Sequence, residues 1–154
     1  MATSFRPFNT QTDTELVSGF LMDAKRLSGL PQEDPRKDCD DYIKFVVSTQ
    51  ERDPDSAAVL LDGAEVIGFV HAYQVAKKPE VGSLSFDYLV PERRGTGLGA
   101  RLMDYAVKIT RARGCSRMVL EVSGTNARAI AFYRKHGFEV FKERDGILMM
   151  RRSL

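Results

Sequence analysis

Three glycines at alternate positions, in Arg94-Gly95-Thr96-Gly97-Leu98-Gly99, constrain this chain more than any other feature. Ahead of them Leu84, Phe86, Tyr88 and Val90 alternate with Ser83, Ser85, Asp87 and Leu89, the period of a strand. After them Leu98, Leu102, Tyr105, Ala106 and Ile109 share one face of a helix. The glycines therefore join a strand to a helix. Without a Cβ in the way, their backbone N–H groups can approach a ligand closely. They also stand at the positive end of the helix dipole, which favours an anion. Arg93 and Arg94 add formal positive charge, and a pyrophosphate suits such a turn.

More than one nucleotide fits. A Walker A loop is excluded because no Gly-Lys-Ser/Thr follows. Gly95, Gly97 and Ala100 satisfy the dinucleotide pattern G-x-G-x-x-A, and Glu121 stands about 20 residues further on. Against that pattern, Glu92, Arg93, Arg94 and Thr96 put polar residues between the strand and the glycines, where a dinucleotide turn is tight. The preceding strands also form hairpins, and too little chain follows Glu121 for a doubly wound sheet.

The rest of the chain reads as one domain over residues 1–154, with no linker or repeat. Residues 4–8 suit a short strand ended by Pro7. Helical spacing covers 13–27, with Asp13 or Thr12 as cap, and a second helix is expected over about 40–49 after a break containing Gly29, Pro31 and Pro35. Strands follow over 57–61 and 65–75, joined by a type I′ turn at Asp62-Gly63. Residues 79–82 turn the chain before the strand at 83–90. Beyond the helix ended by Gly114 come a strand at 118–122, a helix at 126–136 ended by Gly137, and a strand pair around Asp145-Gly146. The sum is a mixed, mostly antiparallel α/β sheet flanked by helices.

Composition narrows the function classes. A net charge of +2 supplies no concentrated basic patch, so nucleic acid is not an expected partner. No apolar run nears the roughly 18 residues needed to span a bilayer, so a membrane is not expected either. The first residues have no apolar signal core, and with only two cysteines the expected compartment is the cytoplasm. Two cysteines and two histidines without ligand spacing make no metal site.

The segment from Arg94 to Gly99 resembles the R/Q-x-x-G-x-G/A signature of the GNAT superfamily of N-acetyltransferases. Some 30 residues later Asn126, Ala129, Phe132, Tyr133, Gly137 and Phe138 match a second signature, N-x-x-A-x-x-F-Y-x-x-x-G-F. The resemblance is sharp over 86–138 and weak over the first 50 residues. It implies a GNAT fold with splayed central strands and direct acetyl transfer from acetyl-coenzyme A to an amine, with no metal. It also implies roles. Backbone N–H groups of Arg94, Gly95, Thr96, Gly97, Leu98 and Gly99 would hold the pyrophosphate. Leu89 and Val90 would pair with the pantetheine arm, one of their N–H groups meeting the thioester oxygen. Asn126 and Tyr133, two helical turns apart, would line the same cleft, Asn126 bonding the arm and Tyr133 protonating the sulfur.

For the base, Asp87 and Glu121 are the candidates; His71, flanked by Phe69 and Tyr73, reads as a packed histidine. The expected acceptor is a small-molecule or peptide amine, and a homodimer is compatible with the domain. Glu33, Asp34, Asp38, Asp40 and Asp41, in the segment that would shape the pocket together with 143–147, suggest a cationic one.

Overall fold

The computed structural model describes residues 2–28 and 33–154. The chain runs β1 (Thr3–Pro7), α1 (Thr10–Ser28), α2 (Pro35–Arg52), β2 (Ala57–Asp62), β3 (Glu65–Val75), β4 (Lys78–Leu89), α3 (Leu98–Ala112), β5 (Arg117–Ser123), α4 (Ala127–Lys135), β6 (Glu139–Arg144) and β7 (Ile147–Ser153). The seven strands form one sheet in the order β1-β2-β3-β4-β5-β7-β6. Only the β4–β5 pair is parallel.

Alternation along the strands builds two cores. Phe8, Val17, Phe20, Val46, Val59, Phe69 and Tyr88 pack α1 and α2 onto one face. Leu60, Val70, Leu84, Leu102, Met118, Leu120 and Met150 pack on the other, with Ile130, Phe132 and Tyr133 of α4 against them. Each fully buried apolar side chain contributes about 1.5–3 kcal/mol. The helical cover is uneven: α3 and α4 back the centre of the sheet, whereas α1 and α2 leave the far half of their own face bare. On that half Arg117, Glu121, Arg151 and Ser153 are all exposed.

Several elements differ from the sequence expectation. Helix α1 begins three residues earlier than Asp13. Asn9 takes the capping position, its Oδ1 accepting from the Gln11 N–H, while Asp13 accepts from the Asn9 N–H and is buried against Arg6. Helix α2 begins at Pro35, because proline is pre-set for the first helical position and Asp34 caps it through the Lys37 N–H. Asp38, Asp40 and Asp41 therefore lie on a helix, whereas Gly29 and Pro31 lie outside the described residues. Residues 79–82 belong to β4 rather than to a turn. At the β2–β3 hairpin only Gly63 has a positive φ, so the turn is not type I′. Asp145 and Gly146, both at positive φ, supply that geometry at the β6–β7 hairpin.

The splay of the central strands has a local cause. β4 and β5 pair only at Val81↔Arg117, Gly82↔Met118 and Ser83↔Val119. Immediately beyond, the β3–β4 register slips: His71 faces Phe86 and Ala72 faces Leu84, so Ser85 has no partner on β3. This bulge bends β4 and increases its twist. From Leu84 onward β4 and β5 separate, leaving a gap between their C-terminal halves.

Candidate active site

The glycine turn flanks the open end of that gap. Gly95 and Gly97 hold φ values of 77° and 85°, which disfavour any residue with a Cβ, and nothing lies within 4 Å of where a Cβ would stand. Gly97 caps α3 without any side-chain hydrogen bond. The first N–H groups of α3 thus have no intrahelical or side-chain capping acceptor, the arrangement an anion completes. Gly99 serves another purpose. A Cβ there would lie 3.2 Å from the Phe132 ring, so this glycine lets α3 and α4 close together.

The arginines of the turn are already engaged. Arg93 pairs with Asp62 at 2.6 Å and Glu65 at 3.5 Å. Arg94 donates from Nε to the Leu89 carbonyl at 2.9 Å, lies 3.7 Å from Asp23 and covers the Tyr88 ring. The Arg94 N–H is bonded to Pro91 O. Arg94 thus ties the turn to β4 and α1, and the donors left for an anion come from the glycines and the first turn of α3. Thr96 closes the turn with its hydroxyl on Arg93 O.

A similar distinction separates Leu89 from Val90. The Val90 N–H is bonded to Ile67 O at 2.9 Å. Antiparallel ladders alternate, so Leu89, opposite Gly68, turns its N–H away from β3 and toward the gap. Of the two backbone donors expected to meet a carbonyl oxygen, only the Leu89 N–H is turned toward the gap.

On the α4 side of the gap, the Tyr133 hydroxyl donates to Asp87 Oδ1 at 2.7 Å. Burial pushes the Asp87 carboxyl above its usual range, with the Tyr133 bond opposing. Burial, then the neighbouring Asp87 charge, raises the Tyr133 phenol well above 10. Asn126 caps α4, its Oδ1 accepting from the Ala129 N–H at 3.2 Å; its amide NH2 has no partner among the described residues. Glu121 lies between Leu120 and Val122, whose side chains are in the α3/α4 core, so it projects to the opposite, uncovered face. The two candidate carboxylates therefore stand on opposite sides of the sheet.

His71 is fully buried, its Nδ1 2.6 Å from the Tyr42 hydroxyl and its Nε2 2.8 Å from Thr49 Oγ1. Burial lowers its pKa to about 3. It is a neutral structural histidine that joins α2 to β3. Tyr42 also bonds Ser85 at 3.1 Å and so pins the bulge. Tyr42 and Ser85 escaped the sequence reading, since neither motif nor spacing marks a residue that acts only through a bulge.

Among the described residues no group of three His, Cys, Asp or Glu could hold a metal ion, and no helix is long and apolar enough to cross a membrane.

Known proteins share this architecture. The fold superposes on the PaiA N-acetyltransferase of Thermoplasma acidophilum, solved with coenzyme A, with a TM-score of 0.85 over 100% of both chains at 20% identity. An uncharacterized N-acetyltransferase of Archaeoglobus fulgidus is 32% identical over 102 residues, 64% of this chain and 67% of that protein. A mycothiol acetyltransferase of Beutenbergia cavernae is 50% identical over 48 residues, 31% of this chain and only 16% of that longer protein. The sequence model of the acetyltransferase (GNAT) family matches residues 21–138, which include the uncapped glycine turn, the splayed strands and the Tyr133–Asp87 pair. The chain belongs to the acetyltransferase (GNAT) family.

Proposed function

We propose that this protein transfers an acetyl group from acetyl-coenzyme A directly to a primary amine of a small molecule or peptide. The observation that carries the reading is the Tyr133–Asp87 hydrogen bond beside a gap whose mouth holds a ready anion site.

The residues suit the co-substrate. Uncapped N–H groups from Gly97 to Ala100 fit a pyrophosphate, Leu89 offers an N–H to a carbonyl oxygen, and the amide NH2 of Asn126 offers a donor to an amide-bearing arm. Acetyl-coenzyme A supplies the activated thioester. Asp87, raised by burial, takes the proton lost from the amine. While Asp87 is ionised it holds the Tyr133 proton to itself; once protonated it frees that proton for the leaving sulfur. One hydrogen bond thus couples gain of a proton at one end to its release at the other. Glu121, on the open face, is the alternative first acceptor for an amine entering from that side. The N–H at Leu89 stabilises charge on the oxygen as it develops.

Thermal unfolding with acetyl-coenzyme A or NAD tests the anchor. Saturating acetyl-coenzyme A should raise Tm by about 5–10 °C, and NAD should not. Thiol release dependent on added amine then tests transfer. Binding without release for any amine would leave a cofactor-binding module instead.

A further inference from the structure

The bare half of the sheet is not featureless. A groove of about 1080 Å³ runs over it, walled by Ser83 to Ser85 of β4 and Val119 to Glu121 of β5, and it reaches the gap where the strands part. Lys78, Arg117, Lys142 and Arg151 line it against Glu121 and Glu139, whereas the Arg152 side chain turns to the other face and donates to the His136 carbonyl. Among the described residues no carboxylate forms an ion pair with Lys78, Lys142 or Arg151. Arg117 has only a 3.6 Å pairing with the exposed Glu80. Arg151 lies over the Phe141 ring, 4.8 Å from its centroid, on the groove floor. Glu139 stands opposite Arg151 across β6 and β7 without closing an ion pair, so the wall keeps an excess of positive charge, which favours an anion.

The acids that suggested a cationic acceptor are occupied elsewhere. Asp34 caps α2, Asp38 pairs with Lys25 at 3.2 Å and Asp41 with Lys37 at 2.7 Å. Of the remaining two, Glu33 lies before the cap, and neither it nor Asp40 lines the groove.

Register gives the groove a polarity. Glu121 faces Met149, Val119 faces Arg151 and Arg117 faces Ser153. Successive rows on one face are about 7 Å apart. The Glu121 row is beside the gap, the Arg151 row about 7 Å away and the Arg117 row about 13 Å away. We propose, resting on the transferase reading above, that the groove takes the acceptor and selects amines carrying a carboxylate roughly 7–13 Å from the reacting nitrogen. The nitrogen enters the β4–β5 gap past Glu121, toward Asp87 on the gap's other side, and the carboxylate meets Arg151 or Arg117. Acidic side chains near a peptide N-terminus and extended dicarboxylic amines share that chemistry.

The test compares tetrapeptides with Ala at the N-terminus followed by acidic, neutral or basic residues, with aminoadipate as the small-molecule arm. Amine-dependent thiol release should favour acidic over basic peptides at least tenfold in kcat/KM, mainly through KM. Arg151→Glu should erase or invert that order; Arg117→Glu is a second, independent variant. Turnover confined to aminoadipate assigns a small acceptor, and turnover of acidic peptides a peptide one; either supports the groove. Equal turnover across charges, or an order unchanged in both variants, overturns the inference while leaving the transferase intact. Fluorescence anisotropy of a C-terminally labelled acidic peptide separates the remaining case. Binding lost in Arg151→Glu without any acetyl transfer would keep the groove and sink the transferase, and no binding with no transfer would sink both.

Discussion

Tyr133 and Asp87, 46 residues apart in sequence, share a 2.7 Å hydrogen bond across the mouth of the β4–β5 gap. Neither would be paired with the other from sequence, since one lies on a strand and the other on a helix beyond the next strand.

Replacing either end of that bond should produce different losses. Tyr133→Phe removes the proton donor and should lower kcat by about 10²–10⁴ while leaving acetyl-coenzyme A affinity within a few-fold. Asp87→Asn keeps an acceptor for the hydroxyl but abolishes the base. It also removes a buried charge, and because the folded pKa of Asp87 is raised, ionisation near neutral pH opposes folding. Activity should fall and Tm at pH 7 should hold or rise. A variant with reduced Tm and normal kcat would refute the assignment.

The same pair sets a pH profile. Under the proposed mechanism transfer needs Asp87 ionised and Tyr133 protonated. The rate should therefore climb as pH rises through a carboxylate pKa above 3.8 and stay high to beyond pH 10. Asp87→Asn should remove the acidic limb. An acidic limb that persists in Asp87→Asn and vanishes in Glu121→Gln would move the base to the open face.

Gly97 carries two requirements at once. Alanine at φ 85° costs about 1–2 kcal/mol, and the strain shifts the backbone that presents the uncapped N–H groups of α3. Gly97→Ala should lower Tm by a few degrees and weaken coenzyme A binding by more than the stability loss alone explains. Isothermal titration of the folded variant checks this; unchanged affinity would remove the turn from the anion site.

His71 makes stability sensitive to acid. Its folded pKa of about 3 lies below the ordinary value of 6.5, so its contribution is present above pH 6.5 and is lost as pH falls toward 3. Within that window the unfolded state binds about one more proton, a slope of about 1.4 kcal/mol per pH unit. Denaturant titrations at pH 7, 6 and 5 should show a steeper fall for the wild type than for His71→Gln. Parallel slopes would mean that the imidazole charges without cost.

Arg6 and Asp13 fix the first strand to α1. Asp13 is 2% exposed; burial alone would raise its pKa, and Arg6 with the Asn9 N–H more than reverses this. Arg6→Met would strand that carboxylate and should cost about 2–3 kcal/mol at pH 7. Urea unfolding at pH 7 measures it, and a loss below 0.5 kcal/mol would show that the pair is dispensable.

Local features were legible in the sequence because they are local. Glycine conformational freedom, helical spacing and strand alternation act over a few residues, and they fixed the strand–turn–helix at Arg94 to Gly99, the end of α4 at Gly137 and most strand positions. Where a neighbour decides, local preference points to the wrong residue. Asp34 and Pro35 started α2 earlier than its apolar pattern, and Asn9 displaced Asp13 from the cap once Arg6 drew Asp13 inward. The splay itself depends on an unpartnered Ser85, which exists only when β3 and β4 are in register. The pairing of Asp87 with Tyr133, the separation of Asp87 from Glu121 by the sheet, and the cationic groove all arise when β5 and β7 come beside β4 and α4 closes over one face. Pairing and burial are long-range contacts, and no residue's own preference specifies them. By itself the sequence determined where the glycine turn joins strand to helix; the tertiary structure decided which groups face it, which face stays open, and what charge that open face presents.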